Sequence, residues 1–359
     1  MIKVYQVYLI KSFSKIFFYV FCIFTCLTIV LNIFEEVSFF KNTNVGLLYP
    51  FYLTLLNTPS VIYETFPFIF FIATQFFFVR LLDKEELDIF KKISLSNTKI
   101  IFILSLFSFL ISFFIIIIFY NLSSNFKFLY LEIKNQYSKD NKYLAMVTEN
   151  GLWMKDQVDN KILIVNAQTL KDKTLKNVSI NQFSENFEIE QNIIADEVNI
   201  EKNIWIIKRG NFSAGNSPLE IQENIAFKTN FNFKQISKLF SDLSSLNFIE
   251  LRKLRQNFEK SGYSLNDLNI HVQKLISYPF YLTIMTILAS IVMLNIKRNK
   301  SKIFHIIIGT LFSVSIYYIS YFSGLLGQNE RLPFILSIWL PIIVISLFCI
   351  FGLVRINEK

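Results

Sequence analysis

Hydrophobic positions in this chain fall into long blocks near both ends, and a long polar stretch separates the two groups. A helix needs about 20 mainly apolar residues to cross a bilayer. Three blocks of this length precede the polar stretch and three follow it, which predicts six transmembrane helices. Their expected bounds are 16–34, 59–82, 100–120, 275–296, 303–322 and 332–354.

The polar stretch shows a different period. Apolar and polar residues alternate in short segments that begin near Gly151, Lys161, Val198 and Glu223, and Asn, Asp and Gly lie between these segments. This pattern is typical of the strands of a sandwich or jelly roll. Beyond Phe233 the spacing becomes helical, which predicts a helical connector back to the membrane.

The sequence therefore predicts an α-helical polytopic membrane protein, with six transmembrane helices and an inserted all-β, jellyroll-like domain. Residues 1–124 should hold the first three helices, residues 125–270 the β domain with its connector, and residues 271–359 the last three helices.

Composition supports this division and excludes two other classes of protein. Hydrophobic residues make up 53% of the 359 residues and charged residues 18%, against about 25% charged in a typical soluble protein. The apolar excess excludes a single soluble domain, and the 41 phenylalanines exclude a disordered chain. All three cysteines lie in apolar blocks, so the β domain carries no disulfide and no thiolate metal site.

The formal net charge of +9 indicates membrane orientation rather than a nucleic-acid partner. Residues 125–274 carry 20 Lys and Arg against 18 Asp and Glu, so most of the excess lies beside the apolar blocks. Lys and Arg are enriched in cytoplasmic loops. With the N-terminus in the cytoplasm, the inner segments carry 14 Lys and Arg and the short outer loops carry two. Both termini are therefore expected in the cytoplasm, and the β domain outside it.

The sequence contains no enzyme motif. It has neither a Walker A sequence nor a dinucleotide-type glycine motif, and its two histidines, His271 and His305, have no partner at metal-ligand or triad spacing. We therefore expect a chain that is not an enzyme, with no cofactor and no metal.

The segment between the second and third blocks predicts a short helix over residues 83–93. Asp83 is placed to cap this helix, and Glu85 and Glu86 lie in its first turn. Lys91 and Lys92 lie near its end, so the order of charges complements the helix dipole.

This short helix has two interpretations. It can be an interfacial helix that rests on the inner leaflet. Alternatively, it is a coupling helix that docks into a cytoplasmic partner, with Glu86 as a charged contact and Leu87 and Phe90 filling a groove.

The second apolar block contains two polar residues, Glu64 near its outer end and Gln75 deeper. Ionisable groups within a bilayer usually face a cavity or a partner. Glu64 therefore lies either in water at the interface or on the rim of a substrate cavity.

Short motifs along nearly the whole chain resemble those of one membrane protein family. Glu86-Leu87, Lys91 and Ser94-Leu95-Ser96 resemble a coupling segment in which Ser94 stands where the family has glycine. The run from Asn150 to Trp153, with Lys155-Asp156 after it, resembles the turn that opens a periplasmic jellyroll. Other matches are Tyr278-Pro279-Phe280, Trp339-Leu340-Pro341 and the spacing from Pro59 to Pro67.

Together these motifs resemble the LptF/LptG permease family, which moves lipopolysaccharide out of the bacterial inner membrane. The motif from Trp339 to Pro341 favours the LptG branch. The resemblance implies a complex of this chain with a sister permease of the same family, a cytoplasmic ATPase dimer and a periplasmic jellyroll bridge protein. The ATPase would supply the hydrolysis that this chain lacks.

The resemblance also implies two sets of functional residues. The expected ATPase-coupling residues are Glu85, Glu86, Leu87, Phe90 and Lys91. The expected lipid-binding residues are Lys41, Glu64, Trp153, Ile164 and Trp205. Lys41 is what remains of the basic cluster that the family carries at the top of its first helix.

The interior of the β domain has two interpretations, a lipid-binding groove or a dry packed core. The residues expected to include its inward-facing positions are Trp153, Ile162, Ile164, Val198, Ile200, Trp205 and Ile207. For the whole chain, the alternative function is a membrane-anchored scaffold or signalling protein whose β domain binds a periplasmic partner without transport.

Overall fold

The computed structural model describes residues 3–41, 45–46, 48–137, 152–158, 161–171, 173–184, 186–213, 220–233, 235–236, 242–261, 263–295 and 301–357. The chain divides into two compact units. One consists of Met1–Ser123 and Asn266–Lys359, and the other of Ser124–Leu265.

The α-helices of the described residues precede and follow a region of β-strands. They are α1 (Val4–Phe40), α2 (Leu48–Asp83), α3 (Glu86–Lys92), α4 (Asn97–Phe114), α5 (Asn121–Tyr137), α6 (Phe248–Ser261), α7 (Asn266–Leu294), α8 (Lys302–Gln328) and α9 (Phe334–Asn357). A π-helical segment, Ile115–Tyr120, joins α4 to α5.

Six helices among the described residues are long and apolar enough to cross a membrane. They are α1, α2, the continuous helix Asn97–Tyr137, α7, α8 and α9. The polytopic membrane fold predicted from the sequence is thereby confirmed. Several helices are longer than their apolar blocks, because flanking polar residues continue the helical hydrogen bonding.

The core of the membrane unit is built largely from phenylalanine rings. Phe13 of α1 is fully buried and meets Phe77 of α2 and Phe107 of α4 edge-on, with centroid distances of 5.8 and 5.9 Å. Edge-to-face geometry is one of the favourable arrangements of two aromatic quadrupoles. These contacts hold α1, α2 and α4 together.

Polar side chains add hydrogen bonds between the apolar helices. Thr286 of α7 donates to the Ser108 hydroxyl of α4 at 2.9 Å, and both residues are fully buried. Tyr278, also on α7, donates to the Tyr63 carbonyl of α2 at 2.7 Å. Hydrogen bonds of this kind contribute to helix association in membranes, so α7 is fixed against both α2 and α4.

The second unit contains a six-stranded antiparallel sheet, which confirms the predicted all-β insert. Its strands are β1 (Leu152–Val158), β2 (Lys161–Lys171), β3 (Thr174–Phe183), β4 (Ile189–Asn199), β5 (Ile204–Ser213) and β6 (Glu220–Lys228). Their order in the sheet is the order in the chain, so the described strands form a meander without the crossovers of a Greek key.

Part-way along the strands, the buried side chains change from odd-numbered to even-numbered positions, or the reverse. On β3, Leu175 and Val178 are both buried, although an interval of three residues would place them on opposite faces of a flat strand. On β4 the same holds for Val198 and Ala195, which pair with these two residues. Asn177 lies between these two buried positions of β3, and its positive φ of 50° is more typical of turns than of strands. The strands therefore bend together along one line across the sheet.

The two edge strands are connected through one buried carboxylate. Asp156 of β1 is 1% exposed and accepts hydrogen bonds from the backbone and the side-chain amide of Asn230, at 2.9 and 3.0 Å. Asn230 follows β6. Hydrogen bonding to a buried charge is needed to offset its desolvation, and here it also links β1 to the chain beyond β6.

Candidate functional site

The short helix α3 lies between two turns of the chain, one at Glu85 and one at Ser94, at one end of the membrane unit. Lys84 donates to the Arg80 carbonyl at 3.1 Å and Glu85 to the Leu82 carbonyl at 3.2 Å, and Glu85 has a left-handed φ of 56°. These bonds end α2 after Asp83.

Two expectations about this helix are corrected. The structure places Asp83 in the last turn of α2, where it forms an ion pair with Lys302 of α8. Asp83 therefore does not cap α3, which spans Glu86–Lys92 rather than residues 83–93. The reason is that the chain reversal at Glu85 separates the two helices, and the sequence pattern did not reveal it.

The C-terminal end of α3 forms a Schellman motif. The N–H of Leu95 donates to the Phe90 carbonyl at 2.9 Å, and the N–H of Ser94 donates to the Lys91 carbonyl at 3.0 Å. Ser94 has a φ of 59°, a conformation for which glycine is usual. The coupling segment that this region resembles has glycine at position 94. Here serine occupies that position in a conformation that is usual for glycine.

The apolar residues of α3 divide between two faces. Leu87 and Phe90 are 7% and 8% exposed and belong to the core of the membrane unit. Ile89 and Ile93 are 55% and 60% exposed. In this structure Leu87 and Phe90 are therefore not free to fill a groove on a partner, because they already pack within the chain.

The charged residues of α3 divide in the same way. Glu85 and Lys91 are exposed, as are Asp88 and Lys92. Glu86 is partly buried, and its Oε1 accepts a hydrogen bond from the Tyr8 hydroxyl of α1 at 2.8 Å. Its Oε2 is buried and has no hydrogen-bond partner among the described residues. Glu86 therefore faces α1, whereas Glu85 faces outward.

The five expected lipid-binding residues do not share one surface. Lys41 is exposed directly after α1, and Glu64 is exposed on α2. Trp153 is 56% exposed on β1, and Ile164 of β2 lies on the same face of the sheet and is partly buried. Trp205 of β5 is fully buried.

The interior of the sheet is closed in this structure. Trp205 donates from Nε1 to the Phe231 carbonyl at 2.7 Å, and it is fully buried together with Val198, Ile200 and Ile207. Trp153, expected to be among the inward-facing residues, points outward, because its neighbours Leu152 and Met154 take the buried positions of β1. A lipid could enter this interior only after the sheet opened.

A buried contact in the membrane unit involves Gln75, which the sequence singled out without assigning it a partner. Gln75 of α2 is fully buried and donates from Nε2 to the carbonyls of His305 and Ile306 on α8, at 3.4 and 3.3 Å. A Cβ added at Gly309 of α8 would lie 2.1 Å from this Nε2. Glycine at 309 therefore allows α8 to approach Gln75.

Tyr8 and Asp156 were not recognised as functional or structural contacts from the sequence. Tyr8 lies in a helical turn without a polar pattern, and its partner Glu86 is 78 residues away. Asp156 was part of a motif, but its partner Asn230 lies beyond five further strands. Only the tertiary structure brings such pairs together.

Comparison with known proteins gives one positive finding. A search of curated proteins found no match. A comparison with protein-family models matches residues 7–355 to the lipopolysaccharide export system permease LptF/LptG, without resolving the LptF branch from the LptG branch. Because this match covers nearly the whole chain, the protein belongs to the LptF/LptG family of lipopolysaccharide export permeases.

Proposed function

We propose that this chain is the permease subunit of a transporter that extracts lipopolysaccharide from the inner membrane and passes it to a periplasmic bridge protein. The observation that carries the proposal is the family match over residues 7–355. Within the family, the motif from Trp339 to Pro341 supports the LptG branch. Transport would be driven by a separate cytoplasmic ATPase dimer.

The physical task explains why a separate energy source is needed. Each CH₂ group of an acyl chain buried in a bilayer contributes roughly 0.8 kcal/mol, so a lipid with several chains does not leave spontaneously. A membrane subunit without a nucleotide-binding motif must receive that free energy through a contact with another protein.

The proposed orientation places both termini and α3 in the cytoplasm and the sheet in the periplasm. It rests on the 14 Lys and Arg of the inner segments against two in the short outer loops. In this orientation α3 lies on the side of the membrane where ATP is available. The exposed apolar faces of α1 and α8, which include Phe34 and Phe322, would contact lipid and the sister permease.

We assign the coupling residues to two roles according to their exposure. Glu85 and Lys91 are exposed and would contact the ATPase, together with the exposed Ile89 and Ile93. The inward-facing set would transmit the movement of α3 to the bundle, and it consists of Glu86, Leu87 and Phe90.

The proposed lipid route uses residues from both units. Lys41 and Glu64 are exposed, which suits contact with a polar headgroup or the rim of a cavity. Trp153 and Ile164 present apolar surface on the outer face of the sheet. Trp205 would contact acyl chains only in an opened form of the β domain, since the described interior is closed.

The variant Ile89→Asp tests the ATPase contact. A charge in place of an exposed apolar anchor should weaken retention of the ATPase on the purified chain about tenfold or more, because burying an Ile side chain contributes roughly 1.5–3 kcal/mol. Ile249→Asp is the matched control, since Ile249 is 69% exposed on α6 of the other unit. Equal retention of the ATPase by both variants would contradict docking through α3.

A further inference from the structure

Tyr8 contacts α3 in two ways at once. Its hydroxyl donates to Glu86 Oε1 at 2.8 Å, and its ring lies 6.4 Å from the ring of Phe90, centroid to centroid, at an interplanar angle of 59°. Glu86 and Phe90 are four residues apart and therefore share one face of the helix. Tyr8 is thus placed to fix the inner face of α3.

The first turns of α1 are themselves anchored in the bundle. Leu9 and Phe13 are fully buried, and Ser12 accepts a hydrogen bond from Arg80 near the end of α2. Arg80 is also close enough to Tyr8 to interact with it electrostatically. The ends of α1 and α2 and the helix α3 therefore meet around Tyr8.

The rest of α1 packs against this chain along one face, where Val20, Thr28, Glu36 and Phe40 are buried, and leaves its other face uncovered. Phe18, Ile23, Leu31 and Phe34 are 61%, 65%, 62% and 70% exposed. A helix that packs along one face only can slide against that face when its first turns are displaced, as in a shear movement of packed helices.

We infer that Tyr8 is a positioning residue that ties α3 to α1, so that a displacement of α3 is transmitted to the first membrane helix. The inference rests on the proposed function, because it takes α3 as the site where the ATPase acts. It goes beyond that function by giving Glu86 an internal partner and by naming the helix that receives the movement.

A native cysteine allows the movement of α1 to be measured. Cys26 lies on α1, is exposed, and is 18 residues from Tyr8, or about 27 Å along the helix at 1.5 Å per residue. Cys22 on the same helix is partly exposed and would be changed by Cys22→Ser, whereas Cys349 is buried. A bimane fluorophore on Cys26 would report the surroundings of α1 in the full transporter complex in nanodiscs.

The test compares Tyr8→Phe with Tyr5→Phe. Tyr8→Phe keeps the ring beside Phe90 and removes only the hydroxyl group that donates a hydrogen bond to Glu86. Tyr5 lies on the same helix, and its hydroxyl has no hydrogen bond among the described residues. Glu86→Gln and the double variant Tyr8→Phe/Glu86→Gln complete a cycle in which the two changes should not add.

We expect ATP to shift the bimane emission in the parent protein and in Tyr5→Phe. In Tyr8→Phe this shift should fall about threefold or more, and lipid exported per ATP hydrolysed should fall with it, while ATPase retention and the melting temperature stay unchanged. A merely structural role would lower the melting temperature and leave the ratio of export to hydrolysis unchanged.

Three outcomes would overturn the inference: no ATP-dependent shift in the parent protein, a full shift in Tyr8→Phe, or fully additive effects in the cycle. These outcomes are distinct from failure of the proposed function, which is read from ATPase retention in Ile89→Asp. If the ATPase binds through α3 and Tyr8→Phe behaves like the parent protein, only the link through Tyr8 is wrong.

Discussion

The outward face of α3 and the interior of the β domain differ in the exposure of their apolar residues. In α3, a helix of seven residues, Ile89 is more than half exposed, as is Ile93 directly after the helix, and left-handed residues flank both ends. In the β domain, Trp205 and Ile207 are fully buried. One region leaves apolar surface available, and the other has its interior filled.

This difference separates contact with partners from stability. Exposed apolar residues beside charged ones are typical of a surface that another molecule covers. A closed apolar interior stabilises its own domain, and it can accept a ligand only if packing contacts are broken first. Protein docking is therefore expected at α3 without rearrangement, whereas lipid entry into the sheet should require a conformational change.

The largest expected effect tests the closed interior. Trp205→Ala should lower the local free energy of unfolding of β4 and β5 by about 3–5 kcal/mol, because it leaves a large cavity and removes the hydrogen bond to Phe231. Trp153→Ala on the exposed face should cost about 1 kcal/mol or less. Hydrogen exchange of the strand amides in the full-length protein measures both values, and equal effects would show that the interior is open.

A smaller effect on stability is expected in the membrane unit. It tests whether the helices of that unit are packed as closely as the interior of the sheet. Gly309→Ala should destabilise the α2–α8 contact by roughly 1–3 kcal/mol, because the new methyl group would displace Gln75. Gly324→Ala on the same helix is the control, since its Cβ would meet Lys274 at an ordinary 3.6 Å. Thermal unfolding in detergent compares them, and equal melting temperatures would argue against the Gln75 contact.

The smallest effect sharpens the description of α3. Ser94→Gly should stabilise the turn after α3 by about 1 kcal/mol, because glycine adopts a positive φ without the steric cost that serine carries. Asp88→Gly, in the exposed middle of the helix, should destabilise it by a similar amount. Hydrogen exchange at Leu95 reports both variants, and a loss of protection in Ser94→Gly would contradict the left-handed turn.

The sequence predicted those features that depend on local periodicity. Long apolar blocks specify membrane helices, and alternating residues from Gly151 onward specify strands. The bend of the sheet was not predicted, because burial of both Leu175 and Val178 breaks the period of two on which strand patterns depend. The start of α3 after Glu85 was also missed, since no Gly or Pro marks the left-handed conformation of that residue.

The exposure of side chains in the candidate sites was less predictable than the positions of the helices and strands that carry those side chains. Leu87 and Ile89 are both apolar and two residues apart, and nothing in the sequence reveals which of them faces the bundle. Their exposed fractions, 7% for Leu87 against 55% for Ile89, depend on how α3 packs against distant parts of the chain. Long-range pairs such as Tyr8 and Glu86 are hidden from local patterns for the same reason.

The most direct measurement of the central claim is transfer of radiolabelled lipopolysaccharide from proteoliposomes to the periplasmic bridge protein. The proteoliposomes would contain this chain, its sister permease and the ATPase. We predict ATP-dependent transfer with the parent chain and with Ile249→Asp, and its loss with Ile89→Asp. Transfer that does not require ATP, or transfer by Ile89→Asp at the parent rate, would contradict the account.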